Sequence, residues 1–499
     1  MELQFQMEKI PCLHQVKGET QTQEQTQELR LPEGMPDVGR VMAVWGQVVV
    51  RGKEWRGDDI GINCGVTVSV LYAPEDGSRA QCVEAWIPLT MRWDIPETKE
   101  DGRIVCWPLL KSADARILSG RKMILRVTVG MLAQVYAPCQ VPVYTPSELP
   151  ADIQLQQTTY PMCLVREAGE KAFMLDEELT LPASAPALEK VIRYALQPEV
   201  AEKKVLGDKA VFRGTGLLHI LYRTEEGAFH AWDFEIPFSQ YTELEQDYGD
   251  QAQVQILPVV TSLELENGEQ GRLRLKAGLS GQYVLYDTRE VSVVEDAYSP
   301  ERTVTAKTES TEFPGVLDRQ SQRIRAEQTA SFGSSRIVDL AFCPGTCRRQ
   351  RKPDGLDVEL PAVFQVLYYD PEGVLQANAA HWQGEMSLGL ADNAQMDTLC
   401  APSGKPQASP GEDSTVLRGD IMLDTVTYAM QPLPAVTGLT VGEAVQKDPT
   451  RPSLILRRAG EESLWTLAKK NGSTVEVIRK ANDLQGEPDP DKMLLIPVL

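Results

Sequence analysis

The sequence lacks any run approaching the ~18 consecutive apolar residues of a membrane span, and Met1 to Gln15 show no basic start followed by an apolar stretch. Neither a membrane-spanning nor a secreted protein is expected. Histidine is scarce: His14, His219, His230 and His381 are scattered, with no pair at metalloprotease spacing. A phosphate-binding Gly-x-x-x-x-Gly-Lys-Ser/Thr loop is missing, so the chain is not itself expected to be an ATPase. No nucleophile motif and no carboxylate pair stands out from the acidic background, and the expectation is a protein that is not an enzyme. Nine cysteines are odd in number and scattered over 499 residues. Small secreted scaffolds use dense, even sets, so these read as reduced thiols in a cytosolic protein. Cys343 and Cys347 lie four apart, but a zinc site needs a second pair and none is near. No metal and no cofactor are expected.

Positive charge is also in short supply. Fifty Lys and Arg stand against 71 Asp and Glu, a net charge of −21. Such a surface repels phosphate backbones and anionic lipid, which disfavours nucleic-acid and membrane-surface partners. The imbalance is uneven. Residues 451–499 hold eight basic and seven acidic residues, which leaves −22 on the rest and marks the tail as a separate module. The one dense basic run, Arg348-Arg349-Gln350-Arg351-Lys352, reads as a solvated hairpin loop or a dock for an acidic partner. Apolar residues at 42% and charged ones at 24% are ordinary for a globular chain, and the length suggests three or four domains.

What is present is repetition. Val70-Leu71-Tyr72 with Gly77, Ile220-Leu221-Tyr222 with Gly227, and Val366-Leu367-Tyr368 with Gly373 share one pattern, with acidic residues just before each glycine. It reads as a strand ending in an aromatic, then a tight turn in which glycine supplies positive φ. A basic and a β-branched residue (Arg40-Val41, Lys190-Val191, Arg336-Ile337) precede each tyrosine at one fixed interval. Leu31-Pro32 with Pro36 matches Leu181-Pro182 with Pro186, and Trp86-Ile87-Pro88 matches Glu235-Ile236-Pro237. Pro11-Cys12-Leu13 echoes Pro161-Met162-Cys163-Leu164. The third copy diverges, lacking the Leu-Pro opening.

Strands rich in Val, Ile, Leu and Tyr dominate each copy, and Leu125-Val127-Val129 and Leu273-Leu275 alternate with polar residues as half-buried strands do. Ile421-Met422-Leu423 is a continuous apolar run and fits that period less cleanly. The expected fold is mainly β: three tandem antiparallel sandwich- or barrel-like domains over 1–145, 158–297 and 302–442, each burying its own core, then a small domain over 452–499. Tyr144 to Gln157 and Asp296 to Thr311 read as linkers, and Ala401 to Ser414 as a mobile loop. Residues 16–28, rich in Gln, Thr and Glu, fit a disordered start and a polar edge strand about equally well.

The tail changes period. Leu454-Ile455-Leu456 is a short strand, and Ser463 precedes Leu464, Leu467 and Ala468, spaced along one helix face. Asn471-Gly472 stops that helix, and Ser473 to Glu476 has capping-box spacing for the next. Met493 to Ile496 is a final strand, giving the order βααβ. Ser463-Leu464-Trp465, Leu467-Ala468-Lys469, Val475, Ile478, Ala481-Asn482 and Leu495-Ile496-Pro497 resemble a LysM domain. That resemblance implies a recognition groove at Glu461, Glu462, Ser463, Leu464, Trp465, Asn482, Asp483 and Leu484. The family's Gly-Asp-Thr falls on Glu461-Glu462-Ser463, a departure that counts against N-acetylglucosamine in the groove.

The upstream copies, through Leu31-Pro32-Glu33-Gly34-Met35-Pro36-Asp37, the Val-Leu-Tyr turns and Glu235-Ile236-Pro237-Phe238, resemble the tandem β-domain of clostridial spore-coat morphogenetic proteins of the SipL type. This resemblance implies a scaffold in spore coat assembly in the mother-cell cytoplasm. Its LysM domain would dock the coat-basement ATPase at the forespore surface, and other coat proteins are further expected partners. The rival reading is a peptidoglycan-binding protein that holds N-acetylglucosamine polymers.

Overall fold

The computed structural model describes residues 1–95, 102–268, 271–332, 336–353, 355–411, 414–446 and 452–499. The chain opens on a short strand, β1 (Glu2–Gln4), and then passes three times through one order of strands. The first pass is β2 (Gln6–Arg30), β3 (Val38–Arg56), β4 (Asp59–Pro74), β5 (Gln81–Asp94), β6 (Arg103–Ser119) and β7 (Lys122–Thr145). Here β7 lies between β6 and β2 in one sheet, and β3, β4 and β5 form a second in chain order. The second pass is β8 (Gln154–Thr180), β9 (Leu188–Thr224), β10 (Phe229–Tyr248), β11 (Gln253–Asn267) and β12 (Arg272–Tyr298), with β9 running through the places of both β3 and β4. The third is β13 (Arg302–Ala330), β14 (Arg336–Pro344), β15 (Arg348–Lys352), β16 (Gly355–Tyr369), β17 (Leu375–Gly389), β18 (Gln395–Pro410) and β19 (Thr415–Ala444).

The repeated motif shows its purpose in this order. Each Val/Ile-Leu-Tyr ends a strand, and the following glycines, Gly77, Gly227 and Gly373, have φ of 73°, 91° and 78°. Their N–H groups close the turns onto the carbonyls of Pro74, Thr224 and Asp370. The tyrosine hydroxyls reach back to the proline motif: Tyr72 donates to the Pro36 carbonyl at 3.0 Å and Tyr222 to that of Pro186 at 3.3 Å. In the third copy, Phe332 stands at the matching distance from Tyr368 and packs against its ring at 5.0 Å.

The mainly-β expectation holds, with the sheets in a propeller-like arrangement. The copies are not beads on a string. Leu13 in β2 pairs with Val165 in β8, merging sheets of the first and second copies, and β1 pairs with β19 of the third, Leu3 opposite Leu439. Each copy keeps apolar clusters of its own, but four further clusters draw on all three copies. In one, Tyr136, Tyr286 and Tyr428, at matching places in β7, β12 and β19, converge. The Tyr136 and Tyr428 hydroxyls lie 3.3 Å apart, and burial pushes the pKa of all three phenols up, that of Tyr286 to about 12. In another, the middle leucines of the motif, Leu71, Leu221 and Leu367, meet at no more than 1% exposure. Burying one such leucine contributes about 1.5–3 kcal/mol, so these junctions hold the ring together.

Several expectations are corrected. The first two linkers shrink, because β7 runs to Thr145, β8 starts at Gln154, β12 reaches Tyr298 and β13 starts at Arg302. Ala401 to Pro410 is strand, paired with β19 from Met422 to Thr415; residues 412 and 413 lie outside the described residues. Polar side chains satisfy a strand as well as a loop when one face is exposed. Residues 16–28 belong to β2, with alternating exposure along their second half. Ile421-Met422-Leu423 alternates after all, with Met422 less buried than its neighbours. Not all thiols are reduced: Cys347, in the turn after β14, is joined by a disulfide to Cys400 of β18, which the fold lays alongside.

Candidate functional site

The C-terminal module is built as β20 (Leu454–Arg458), α1 (Leu464–Asn471), α2 (Val475–Ala481) and β21 (Met493–Pro497), with β20 and β21 antiparallel. Ser463 caps α1, its Oγ accepting the Thr466 N–H at 3.2 Å, and Gly472 ends it at φ 61°. The next cap is Thr474, accepting from the Val477 N–H at 3.2 Å, and not Ser473. The reason is local: the Ser473 N–H still bonds the Ala468 carbonyl, which keeps that residue in the closing turn of α1. Ala459, Leu464, Leu467, Ala468, Ile478, Leu494 and Ile496 fill the interior without exposure.

The eight predicted recognition residues serve different ends. Leu464 is core, and its N–H donates to the Glu487 carboxylate at 2.9 Å. Glu462 pairs with Lys470 and with Arg457, and the Lys470 ammonium foremost holds its pKa down. Asn482 ties helix to sheet: its Nδ2 donates to the Ile478 and Leu495 carbonyls at 2.8 and 2.6 Å, and its Oδ1 accepts the Leu495 N–H at 2.7 Å. Leu484 packs on the core. Glu461 and Asp483, the latter at φ 49°, are the members that face solvent together with the capping Ser463.

Trp465 turns to the body. Its Nε1 donates to Asp296 at 2.8 Å, its ring meets Tyr298 edge-on at 4.7 Å, and Lys469 reaches both Asp296 oxygens at 2.7 and 2.8 Å. The Tyr298 hydroxyl donates to the buried Ser473 carbonyl at 2.9 Å. Burial opposes the Asp296 charge, but the Lys469 and Trp465 donors hold its pKa below the usual range. Asp296 sits at a register shift in β12. It was legible only as a linker residue, since nothing in the local sequence announces a contact with a helix far along the chain. Replacing Asp296 with alanine is expected to weaken docking of the module by on the order of 1–2 kcal/mol, charge-assisted bonds being discounted for partial exposure. Faster amide exchange in α1, with β12 unchanged, is the readout.

A second polar cluster joins the copies. Arg193 of β9 pairs with Asp339 of β14 at 2.9 Å and lies over the Trp45 ring at 4.7 Å. His219 of β9 lies between Asp339 and Asp233, at 2.9 and 2.7 Å. Burial alone would lower the His219 pKa, but the two carboxylates more than reverse it, and it stands above its ordinary value. Asp339 is also opposed by burial, yet Arg193 and His219 hold it at about 2. A raised histidine pKa contributes stability that is full below the unfolded value and is lost as pH rises through the folded one. Thermal unfolding from pH 6 to 9 is therefore expected to shift downward, and His219→Gln to flatten that shift. Beside this cluster a cavity of about 20 Å³, lined by Trp45, Ser69, Glu84 and Arg193, has room for about one water.

The basic run is one strand of a hairpin and not a loop, and all five of its residues are exposed. It forms β15, where Arg349 and Arg351 donate to the carbonyls of Met396, Ala394 and Ala391, and Arg348 and Lys352 pair with Glu359 and Asp357. Among the described residues no group of three or more His, Cys, Asp or Glu is placed to hold a metal, and no helix is long and apolar enough to cross a membrane.

Residues 187–266, spanning β9, β10 and nearly all of β11, match the family model described as SipL, SPOCS domain. That match supports a SipL-type sporulation protein. The matched stretch holds Arg193, His219, Asp233 and the Ile220-Leu221-Tyr222 turn, while Asp339 and Trp45, their partners in the other copies, lie outside it. The first and third copies repeat its strand order. No match was found among curated proteins or solved structures.

Proposed function

We propose that this chain is a non-enzymatic scaffold of spore coat assembly, working in the mother-cell cytoplasm at the forespore surface. The C-terminal LysM-type module docks the coat-basement ATPase, and the three-copy body presents its faces to further coat proteins. The match to the SipL, SPOCS domain carries the reading. The docked module supports it: Asp296 and Tyr298 hold Trp465 and Lys469, which fixes the module against the body. Weak contacts on both parts then act on one partner assembly at raised effective concentration, with no strong single site required.

Affinity capture of the purified ATPase by the full chain and by a chain ending at residue 446 tests this. The full chain is expected to retain the ATPase and the shortened one to lose it. Equal retention by both would move docking to the body.

A further inference from the structure

Cys12 of β2 and Cys139 of β7 are direct partners across the antiparallel pair. Opposed residues on such strands have Cα atoms about 4.5–5.5 Å apart, inside the 4.4–6.8 Å range that a disulfide spans. The two thiols are already in hydrogen-bond contact. Cys12 is 4% exposed, whereas Cys139 is more open. Both pack on the apolar cluster shared by the three copies, with Val141, Met162, Val291 and Leu433. The strand that carries Cys12 follows directly on β1, the segment that clips onto β19 of the third copy.

We propose that Cys12 and Cys139 are a modification site, which a low-molecular-weight disulfide oxidises to a cross-strand bond that locks the N-terminal strand into the closed ring. The Cys139 thiolate attacks the small disulfide, forming a mixed disulfide and expelling one thiolate. Cys12 then loses its proton to solvent and attacks the Cys139 sulfur, expelling the second. Two cysteine thiols are oxidised, and one small disulfide is reduced to two thiols. The neighbouring Cys139 and burial both raise the Cys12 pKa, so the second step is slow near neutrality and quickens as pH rises.

The test incubates the full-length chain with oxidised glutathione at pH 8 and maps peptides by mass spectrometry without reduction. A peptide pair joined through Cys12 and Cys139 is expected to accumulate, faster at pH 8.5 than at pH 7, with only transient glutathione on Cys139. In Cys12→Ser the glutathione adduct on Cys139 is expected to persist. Stable glutathione on Cys139 of the unaltered chain, linkage of either residue to Cys163, or no reaction under these conditions would overturn the proposal. The unaltered chain alone decides it, even if the variant fails to fold.

Discussion

Replacing Arg193 with alanine is expected to lower the unfolding free energy by about 3–5 kcal/mol, the usual cost of removing one member of a buried ion pair. Arg193 is 6% exposed and Asp339 3%, and they come from neighbouring copies. Without the guanidinium, Asp339 keeps a buried charge faced only by His219 and the Leu340 N–H, and the Trp45 ring loses the cation above it. The loss should appear as a lower urea midpoint at unchanged slope, since the surface exposed on unfolding is the same. Replacing both partners, Arg193→Met with Asp339→Leu, is expected to recover much of the loss, because no unpaired charge then remains buried. If the single variant unfolds like the parent, the contact between the second and third copies is not held by this pair.

Leu464→Ala is expected to cost about 2–5 kcal/mol within the C-terminal module, by loss of buried surface and the cavity left behind. The module spans fewer than fifty residues and has few other fully buried side chains, so that loss is enough to unfold it. The Tyr298 ring and the Asp296 carboxylate would lose their partners with it. Amide exchange should report α1 and α2 unprotected while β2, β8 and β12 stay protected. Partner binding should vanish as well, so binding alone does not separate core from contact. Glu461→Lys, at an exposed position outside that core, does: it should leave exchange unchanged and alter binding only if the groove is the contact.

The strand-and-turn content of each copy was readable because glycine, proline and tyrosine have local duties. The three glycines take positive φ, and the two prolines supply carbonyls to the two tyrosines. What an apolar residue in a strand cannot reveal is which neighbour buries it. Leu71, Leu221 and Leu367 read as ordinary core, yet they meet one another at the junction of the copies. Arg193, His219 and Asp339 carry no motif, since the ring brings them together from different strands and copies. In the module, the helix periods and the Ser463 cap were legible. The duties of Trp465 and Asn482 were not, because one depends on Asp296 in the body and the other on the Leu495 backbone. The Cys347–Cys400 bridge was hidden for the same reason, one partner lying in the turn after β14 and the other in β18.

Calorimetric titration of the full-length chain with the coat-basement ATPase, and separately with N-acetylglucosamine oligomers, tests the docking account most directly. The account predicts saturable heat with the ATPase that disappears in Leu464→Ala, and no heat with the oligomers. Saturable heat with the oligomers and none with the ATPase, from a chain shown to be folded, would contradict it.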